Sequence, residues 1–505
     1  MTSSELVTEQ IGRDASRGLR WSLFGQLGMK VASFAMGLVL ARLLAPADFG
    51  TYAIALSATA VLMHINDIGL IAATVQWRGR LEDMAPTATL MSSVFGIVIY
   101  GLFFIGSPWF SQAAGDRGAT PVVQLLALTI VVDGLTATRS AAIMRNFKQD
   151  KLTLANGFGL LGNAVVSIGL AAHGAGAYSF AWGQLVGGII TGVFVMVSAR
   201  LPYRLGFNRE IAGKLMKFGL PLALSLGVES IALNVQFAVV GRLAGAVALG
   251  SFLLAYNVSI WAQTILGTAI RYVSVAGFSR LSEADDDALS AGVQRSMPLL
   301  VTVVAPIVAL TSVLSTPLIA LLYGSRWALA APVLQVLVLL TLVRMVNNLA
   351  MDALMGAGAT RANLWVNLWW ALVLIPALWW ATQEWGIRGA AWAQTIVGFL
   401  VVVPLSAVAL RRVGIPMRPI ALALIRPLFA AVIAGGVAFL VAKASGTHAF
   451  VQLALAGTVG LIAYVPLAVP GDQLRDWYGA VRRFRRRSEP EPDFDPEATA
   501  VIVAD

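Results

Sequence analysis

The sequence contains no cysteine and only three histidines among its 505 residues. The lack of cysteine excludes disulfide frameworks, thiolate nucleophiles and cysteine-ligated metal sites. The histidines, at positions 64, 173 and 448, are too scattered along the chain to indicate an imidazole metal cluster. Charge is also scarce, because 12% of the residues are charged, against about 25% in soluble domains. These absences together exclude a water-soluble globule.

Long apolar segments fill the chain instead. Hydrophobic residues make up 58% of it, there are 48 glycines, and the mean hydropathy is +0.77. A helix needs about 20 apolar residues to cross the hydrocarbon, and the segments lack the alternating pattern of barrel strands. The sequence therefore predicts an all-α integral membrane protein with about 14 transmembrane helices. We number these spans 1 to 14: 19–43, 50–76, 86–106, 120–143, 153–173, 176–198, 215–240, 248–277, 297–322, 328–355, 363–382, 388–410, 421–442 and 449–468.

Lysine and arginine are distributed unequally between the two sets of loops. Of the 36, 26 fall on the side of the N-terminus, 6 fall on the opposite side and 4 lie inside spans. Because cytoplasmic loops carry the excess of positive charge, both termini are predicted to be cytoplasmic, with the chain in the inner membrane. The same rule accounts for the net charge of +10, so no nucleic-acid partner is inferred.

Two segments of the sequence recur. Residues 41–55 return as 241–255, an offset of 200, and residues 181–188 return as 391–398, an offset of 210. Each copy spans six helices, an even number, so the copies are parallel repeats, which in transporters surround a substrate cavity. The first pair shares an arginine and a glycine at matching positions, which are Arg42, Gly50, Arg242 and Gly250.

The repeat predicts two parallel six-helix lobes, spans 1–6 and spans 7–12, followed by two additional C-terminal helices. The basic and then acidic composition of the tail is typical of disorder. The predicted division is a cytoplasmic N-terminal segment (1–17), an N-lobe (18–205), a C-lobe (206–412), spans 13 and 14 (413–470) and a disordered cytoplasmic tail (471–505).

Ionisable side chains inside the spans are the candidate functional residues. Each costs roughly 2.5–3.5 kcal/mol at mid-bilayer on insertion scales, so it normally faces a cavity or a partner. We hypothesise that they line a cleft between the lobes, where some bind an anionic headgroup and others pair across the cleft. For two of these pairs, Asp133 with Arg139 and Arg344 with Asp352, a static structural ion pair is as good an explanation as a role in the cleft. The candidates are Lys30, Arg139, Arg271 and Arg344 for substrate binding, and Asp67, Asp133, Glu229 and Asp352 for coupling or gating.

Tryptophan is concentrated in spans 11 and 12. Most of these rings are interpreted as anchors at the membrane interface, where tryptophan is enriched. Trp369 and Trp370 lie deepest in span 11 and are the two candidates for stacking on a sugar.

Signatures of catalysis are missing from the sequence. It contains no phosphate loop of the GxxxxGK[ST] form, so ATP hydrolysis by this chain is not expected. No nucleophile–base constellation stands out. The chain is predicted not to be an enzyme, and to hold no cofactor or metal.

Residues 42–53, RLLAPADFGTYA, resemble the first loop of polysaccharide flippases. These form the Wzx-like branch of the multidrug/oligosaccharidyl-lipid/polysaccharide (MOP) superfamily. The similarity extends to residues 66–70, 218–223 and 241–250. One departure is Gln236, where many members have an aspartate, and this places ion coupling through that position in question.

The resemblance implies a MATE-like fold with a central cationic cavity. It implies transport of undecaprenyl-diphosphate-linked oligosaccharide units across the cytoplasmic membrane, by alternating access coupled to protons or sodium, for O-antigen or exopolysaccharide synthesis. Lys30 and Arg271 would match the cavity cations that face the diphosphate, and Glu229 and Asp133 the coupling carboxylates. The implied partners are the lipid-linked glycan, membrane lipids and polysaccharide polymerase or assembly proteins.

Three alternatives stay open at this point. A cation-coupled multidrug antiporter of the same superfamily would have an anionic, aromatic cavity. A peptidoglycan-precursor flippase would carry a different substrate on the same scaffold. A membrane polymerase or ligase would need a large outer catalytic loop, and no predicted outer loop exceeds about 15 residues.

Overall fold

A computed structural model shows an all-helical chain, and the part that it describes contains no β-strand. This confirms the predicted fold class. Many helical side chains at positions 67, 221–232, 262–288 and 360–364 are not among those that the structure describes. The structure describes residues 25, 27–67, 71, 73–74, 77, 79–146, 148–199, 201, 204–284, 286–446 and 448–468.

Within the described residues, six helices form the first lobe. The start of α2 shows how the sequence sets a boundary, because proline is favoured at the first helical position. Pro46 occupies that position, and Asp48 Oδ2 accepts a hydrogen bond from the backbone N–H of Ala45 at 2.9 Å. The helices are α1 (27–43), α2 (Pro46–Asp67), α3 (Leu81–Ala113), α4 (Thr120–Arg145), α5 (Gln149–Ala172) and α6 (Tyr178–Ser198).

Eight further helices follow in the part of the chain that the structure describes. The run Arg209–Ala284 breaks at Gly245 into α7 (209–244) and α8 (246–284). The run that begins at Thr360 breaks at Trp385 and Gly386 into α11 (360–384) and α12 (387–412). A π-helical segment, Gly398–Val402, lies within α12. The others are α9 (Asp286–Val313, then Ser315–Leu322), α10 (Ala330–Gly356), α13 (Met417–Ala444) and α14 (Ala449–Ala468).

Eleven helical segments in the described residues are long and apolar enough to cross a membrane. Two of them, Leu233–Trp261 and Trp365–Arg412, run across the breaks at Gly245 and Gly386. Each of these two contains two helices, and α1 (27–43) adds one more, so the described residues confirm the predicted count of about 14 helices.

The lobes share one apolar core. Helix α2 packs extensively against α7 and α8. At one end of this interface the fully buried Trp327 meets Phe49 edge to face, with the ring centroids 4.8 Å apart. Helices α13 and α14 pack against each other and against α9.

The chain is not helical over 204–208, between α6 and α7. Asn208 caps α7 by accepting a hydrogen bond from the backbone N–H of Glu210 at 2.9 Å, and its own N–H donates to Thr87 Oγ1 at 3.1 Å. Lys214 Nζ donates to Glu210 at 2.6 Å, and this hydrogen bond lowers the pKa of that carboxyl. The predicted boundary at 205/206 falls in this linker, and the five-part division stays a prediction.

Candidate functional site

A cavity of about 360 Å³ lies inside the second lobe, between α7, α8, α10, α11 and α12. Small-molecule sites measure roughly 300–1,000 Å³, so this volume suits a small polar ligand. We call it the C-lobe cavity. Its polar lining side chains are Gln263, Arg344, Asn347, Asn348, Asn367 and Gln394, and its aromatic ones are Tyr256 and Trp370.

One face of α10 supplies the charge of the C-lobe cavity. Arg344, Asn347 and Asn348 are spaced by three and four residues, which places them on the same face of the helix. The Arg344 guanidinium carbon lies 5.2 Å from the centroid of the Tyr256 ring, within the range of a cation–π contact. Ser406 donates to Asn347 Oδ1 at 2.7 Å and so orients that amide. Within the described ranges, no carboxylate pairs with Arg344.

Gln263 and Trp370 complete the wall. Gln263 Oε1 is buried, and no group that the structure describes donates a hydrogen bond to it. Buried polar atoms normally have a partner, so this oxygen is an acceptor available to a ligand. Trp370 is half-buried and lines the cavity, whereas Trp369 is 47% exposed and does not. Consecutive helical residues point about 100° apart, so the two predicted stacking residues are separated.

The interior of the first lobe holds a carboxylate. Asn66 Nδ2 donates to Asp133 Oδ2 at 3.2 Å and to the Ile130 carbonyl at 3.4 Å, which joins α2 to α4. Arg139, farther along α4, is 2% exposed, and its Nη2 donates to the Leu201 carbonyl at 3.3 Å. Asp133 and Arg139 are thus held within the N-lobe, and their coupling and binding roles stay predictions.

The other predicted residues are spread over several helices. Lys30 is half-buried on α1, and Asp352 is buried on α10, eight residues after Arg344. Among the described side chains, the C-lobe cavity brings together Arg344 and Trp370 from the predicted set. Three predicted side chains lie outside the described residues, namely those of Asp67, Glu229 and Arg271.

At one end of the molecule, arginines of the sequence repeat cross between the lobes. We call this end, which carries the α1–α2, α3–α4, α7–α8 and α9–α10 connections, the junction face. Arg42 donates to the carbonyls of Leu321 at 2.6 Å and Leu322 at 2.9 Å, at the end of α9. Arg242 donates to the carbonyl of Gln112, at the end of α3, at 3.5 Å. The last carbonyls of a helix lack intrahelical partners and carry a partial negative charge, so they attract a guanidinium.

These crossing contacts are equivalent under the repeat. The arginines differ by 200 positions, and the acceptors Gln112 and Leu321 by 209. Each accepting helix is followed by a glycine with positive φ, Gly115 at 95° and Gly324 at 90°, and then by a short 3₁₀ turn. Glycine adopts this conformation without the steric cost of a Cβ. The repeat seen in the sequence is thus a repeat of lobe-to-lobe contacts.

Helices α2 and α8 also cross at two glycines that match at the offset of 200. A Cβ at Gly50 would overlap the backbone carbonyl of Ala246, and a Cβ at Gly250 would overlap that of Pro46. Such an approach of backbones needs residues without side chains. The junction face is therefore tightly closed where these helices meet.

A second cavity, of about 570 Å³, lies beside Arg242 and between the lobes. We call it the junction cavity. Trp109, Gln112 and Ala113 of the first lobe form one wall, and Arg242 and Trp379 belong to the opposite wall with Ala238 and Val239. Its described wall therefore offers one cation, one amide and mostly apolar surface.

Sequence reasoning missed the amides of the C-lobe cavity, because it considered only charged and aromatic residues inside the spans. Two signals were present. Asn347 and Asn348 interrupt an apolar span, and Gln394 belongs to the repeated segment 391–398. The N-lobe counterpart of Gln394 is Gln184, whose amide donates to the Tyr52 hydroxyl.

Two curated relatives resemble most of the chain. It is 23% identical over 388 residues to the lipopolysaccharide biosynthesis protein WzxC of Escherichia coli (strain K12), covering 76% of this chain and 77% of the relative. It is 24% identical over 468 residues to the succinoglycan biosynthesis transport protein ExoT of Rhizobium meliloti (strain 1021), covering 90% of this chain and 92% of that relative.

Solved structures show the same fold. The lipid II flippase MurJ, in an inward closed conformation, matches with a TM-score of 0.77 and 14% identity, over 91% of this chain and all of that one. An inward-facing multidrug resistance MATE family transporter of the MOP superfamily matches with a TM-score of 0.61 and 15% identity, over 76% of this chain and 94% of that one. The sequence model described as "Polysaccharide biosynthesis protein" matches residues 39–332, more than half of the chain. The predicted resemblance is confirmed: this chain belongs to the polysaccharide biosynthesis protein family.

Proposed function

We propose that this protein moves an undecaprenyl-diphosphate-linked oligosaccharide between the leaflets of the cytoplasmic membrane during surface polysaccharide synthesis. Family membership supports this function, as do relatives named for lipopolysaccharide biosynthesis and for succinoglycan biosynthesis transport. The work is transport, with no covalent step. Its partners are the lipid-linked glycan, the surrounding lipids and the polymerase or assembly proteins that use the product.

The C-lobe cavity is the observation that carries the proposal. Arg344 belongs to the span Ala330–Gly356, and Gln394 belongs to the span Trp365–Arg412. Polar groups inside the hydrocarbon are costly unless they face a cavity or a polar partner. Carboxamides both donate and accept hydrogen bonds, as sugar hydroxyls do, and the flat face of Trp370 suits the apolar face of a sugar ring. We assign part of the glycan to this cavity, because its volume suits a small polar ligand.

Alternating access explains the junction face. From the lysine and arginine distribution, we infer that both termini are cytoplasmic and that the junction face is the outer one. The crossing arginines and the contacts at Gly50 and Gly250 then close the outer side in this structure. Release of the glycan requires the lobes to separate there.

We propose that a proton or sodium gradient drives the cycle, and that the Asn66–Asp133 pair is where the ion acts. The pair joins α2 to α4, and α2 also packs on the second lobe. Neutralising a partly buried carboxylate removes its desolvation cost, so a bound proton or cation changes how α2 packs.

Two alternatives on the same fold are disfavoured. A drug antiporter predicts an anionic cavity, whereas the described wall of the C-lobe cavity holds Arg344 and no carboxylate. A peptidoglycan-precursor flippase is represented by MurJ, and 14% identity shows the fold alone. The sequence relatives reported above are named for lipopolysaccharide and succinoglycan.

A reconstituted transport assay tests the function. The lipid-linked oligosaccharide is extracted from a strain that lacks the gene, labelled, and incorporated into proteoliposomes. A membrane-impermeant glycosidase then reports how much glycan is exposed. In protein-free vesicles the glycan on the inner leaflet is protected from the glycosidase. We expect the purified protein to bring this glycan to the outer leaflet, where the glycosidase cleaves it. A protected pool that persists with folded protein present would contradict the proposal.

A further inference from the structure

The equivalent arginine contacts at the junction face are unequal in strength. Arg42 makes two hydrogen bonds, at 2.6 and 2.9 Å, whereas Arg242 makes one at 3.5 Å, beyond the usual range of about 2.7–3.2 Å. The Arg42 side is fastened further by Trp327, whose indole N–H donates to the Ala41 carbonyl at 2.9 Å. The Arg242 side therefore makes the weaker arginine contact, although the backbones of Gly115 and Gly241 also approach each other closely there.

The junction cavity adjoins this weaker side. Arg242 and its acceptor residue Gln112 both line the cavity, so the guanidinium can exchange the Gln112 carbonyl for a ligand while it remains in the wall. A phosphate is a stronger acceptor, because charge-assisted hydrogen bonds are roughly twice as strong as neutral ones. Arginine also matches phosphate geometry with two parallel N–H groups.

The lining of the junction cavity favours one class of ligand. One cation and one amide are too few to hydrogen-bond a glycan, which is better served by the amides of the C-lobe cavity. Trp109 and Trp379 lie near the ends of their helices, and tryptophan is enriched at membrane interfaces. A ligand that combines an anion with an apolar chain fits these walls.

We propose that the junction cavity binds the phosphate of a lipid in the adjacent leaflet, and that this phosphate takes Arg242 from the Gln112 carbonyl. The junction face then opens on the Arg242 side while the Arg42 side stays closed as the hinge. An isoprenoid diphosphate and a phospholipid headgroup share this chemistry. The inference goes beyond the proposed function, since it assigns a second ligand site and the side on which the lobes part.

The absence of native cysteine permits a direct test by spin labelling. One labelled pair, Pro121→Cys with Val247→Cys, joins the lobes on the Arg242 side without touching the junction cavity, and the other, Leu43→Cys with Ser325→Cys, joins them on the Arg42 side. All four positions are exposed. The distances between the two labels are measured in a phosphate-free maltoside detergent alone, with added farnesyl diphosphate, and with added phosphatidylglycerol.

We expect farnesyl diphosphate to add a longer-distance population to the 121–247 pair and to leave the 43–325 pair unchanged. Arg242→Gln removes this response, Arg242→Lys retains part of it, and the matched control Arg42→Gln retains it on the Arg242 side. A response to phosphatidylglycerol alone supports the same site with a phospholipid as its occupant.

Three results would overturn the inference: no response to either lipid, equal lengthening of both pairs, or a response that persists in Arg242→Gln. Glycan exposure in the proteoliposome assay is a separate measurement. A protein that is active there and shows no phosphate response therefore disproves this inference and leaves the proposed function intact.

Discussion

At the junction face the two lobes present matching elements to each other, whereas their interiors differ. Each lobe contributes an arginine, a helix that ends before a positive-φ glycine, and a glycine that lets backbones touch. Inside, the first lobe holds the Asn66–Asp133 pair, and the second holds Arg344 over Tyr256.

The difference shows which parts of a duplicated membrane fold are free to diverge. The junction contacts end on backbone carbonyls, so they depend on where helices end more than on which side chains surround them. The interiors depend on side chains, and the amides and aromatic rings of the C-lobe cavity have separated its chemistry from that of the N-lobe. If the comparison is right, matched substitutions at the junction face have similar effects, and substitutions in the two lobe interiors have different effects.

The largest expected effect is at the crossing glycines. Gly50→Val and Gly250→Val each force a side chain into a backbone carbonyl, and we expect each to destabilise the protein by about 3 kcal/mol or to prevent folding, since overpacking costs roughly 1–3 kcal/mol and sometimes more. Thermal unfolding followed by tryptophan fluorescence measures this. Gly37→Val is the control, because no atom lies within 4 Å of a Cβ there. If one of the two substitutions is harmless, the junction is not symmetric.

Removing a charge from the interior of each lobe distinguishes the roles of the two lobes. Arg344→Gln removes the cation of the C-lobe cavity, and we expect glycan affinity to fall about tenfold, or about 1.4 kcal/mol, with the ion dependence of transport unchanged. Asp133→Asn should do the reverse, abolishing ion dependence while the glycan still binds. Equilibrium binding and transport rates across a pH or sodium gradient measure the two effects. Identical phenotypes would show that the interiors share one role.

The smallest effect compares neighbouring tryptophans. Trp370→Ala removes an aromatic wall of the C-lobe cavity, and we expect about a fivefold loss of glycan affinity, or about 1 kcal/mol for one aromatic contact. Trp369→Ala is the matched control on the exposed surface of the same helix. Equal losses from both would place the glycan outside the cavity.

Much of the fold follows from local sequence signals. Apolar segments of membrane-spanning length predict the helices, and fixed offsets of 200 and 210 predict two parallel lobes. The backbone breaks at Gly245 and at Trp385 and Gly386. These breaks fall in the gaps that the sequence predicts between spans 7 and 8 (240/248) and between spans 11 and 12 (382/388).

The candidate site was only partly predictable. Arg344 was found because a charge in an apolar span is conspicuous, whereas the uncharged Asn347, which interrupts the same span, was not considered. Trp369 and Trp370 look alike in sequence, and only the packing of α11 shows which one faces the cavity. The sequence identified Arg42 only as part of the repeated segment 41–55, because its acceptors are backbone carbonyls 279 and 280 residues away in the chain.

A cryo-EM structure of the protein with its lipid-linked oligosaccharide bound is the most direct test of the glycan assignment. We predict density for sugar rings in the C-lobe cavity, against Trp370 and within hydrogen-bonding distance of Arg344. Sugar density beside Asp133 in the N-lobe, with the C-lobe cavity empty, would contradict it.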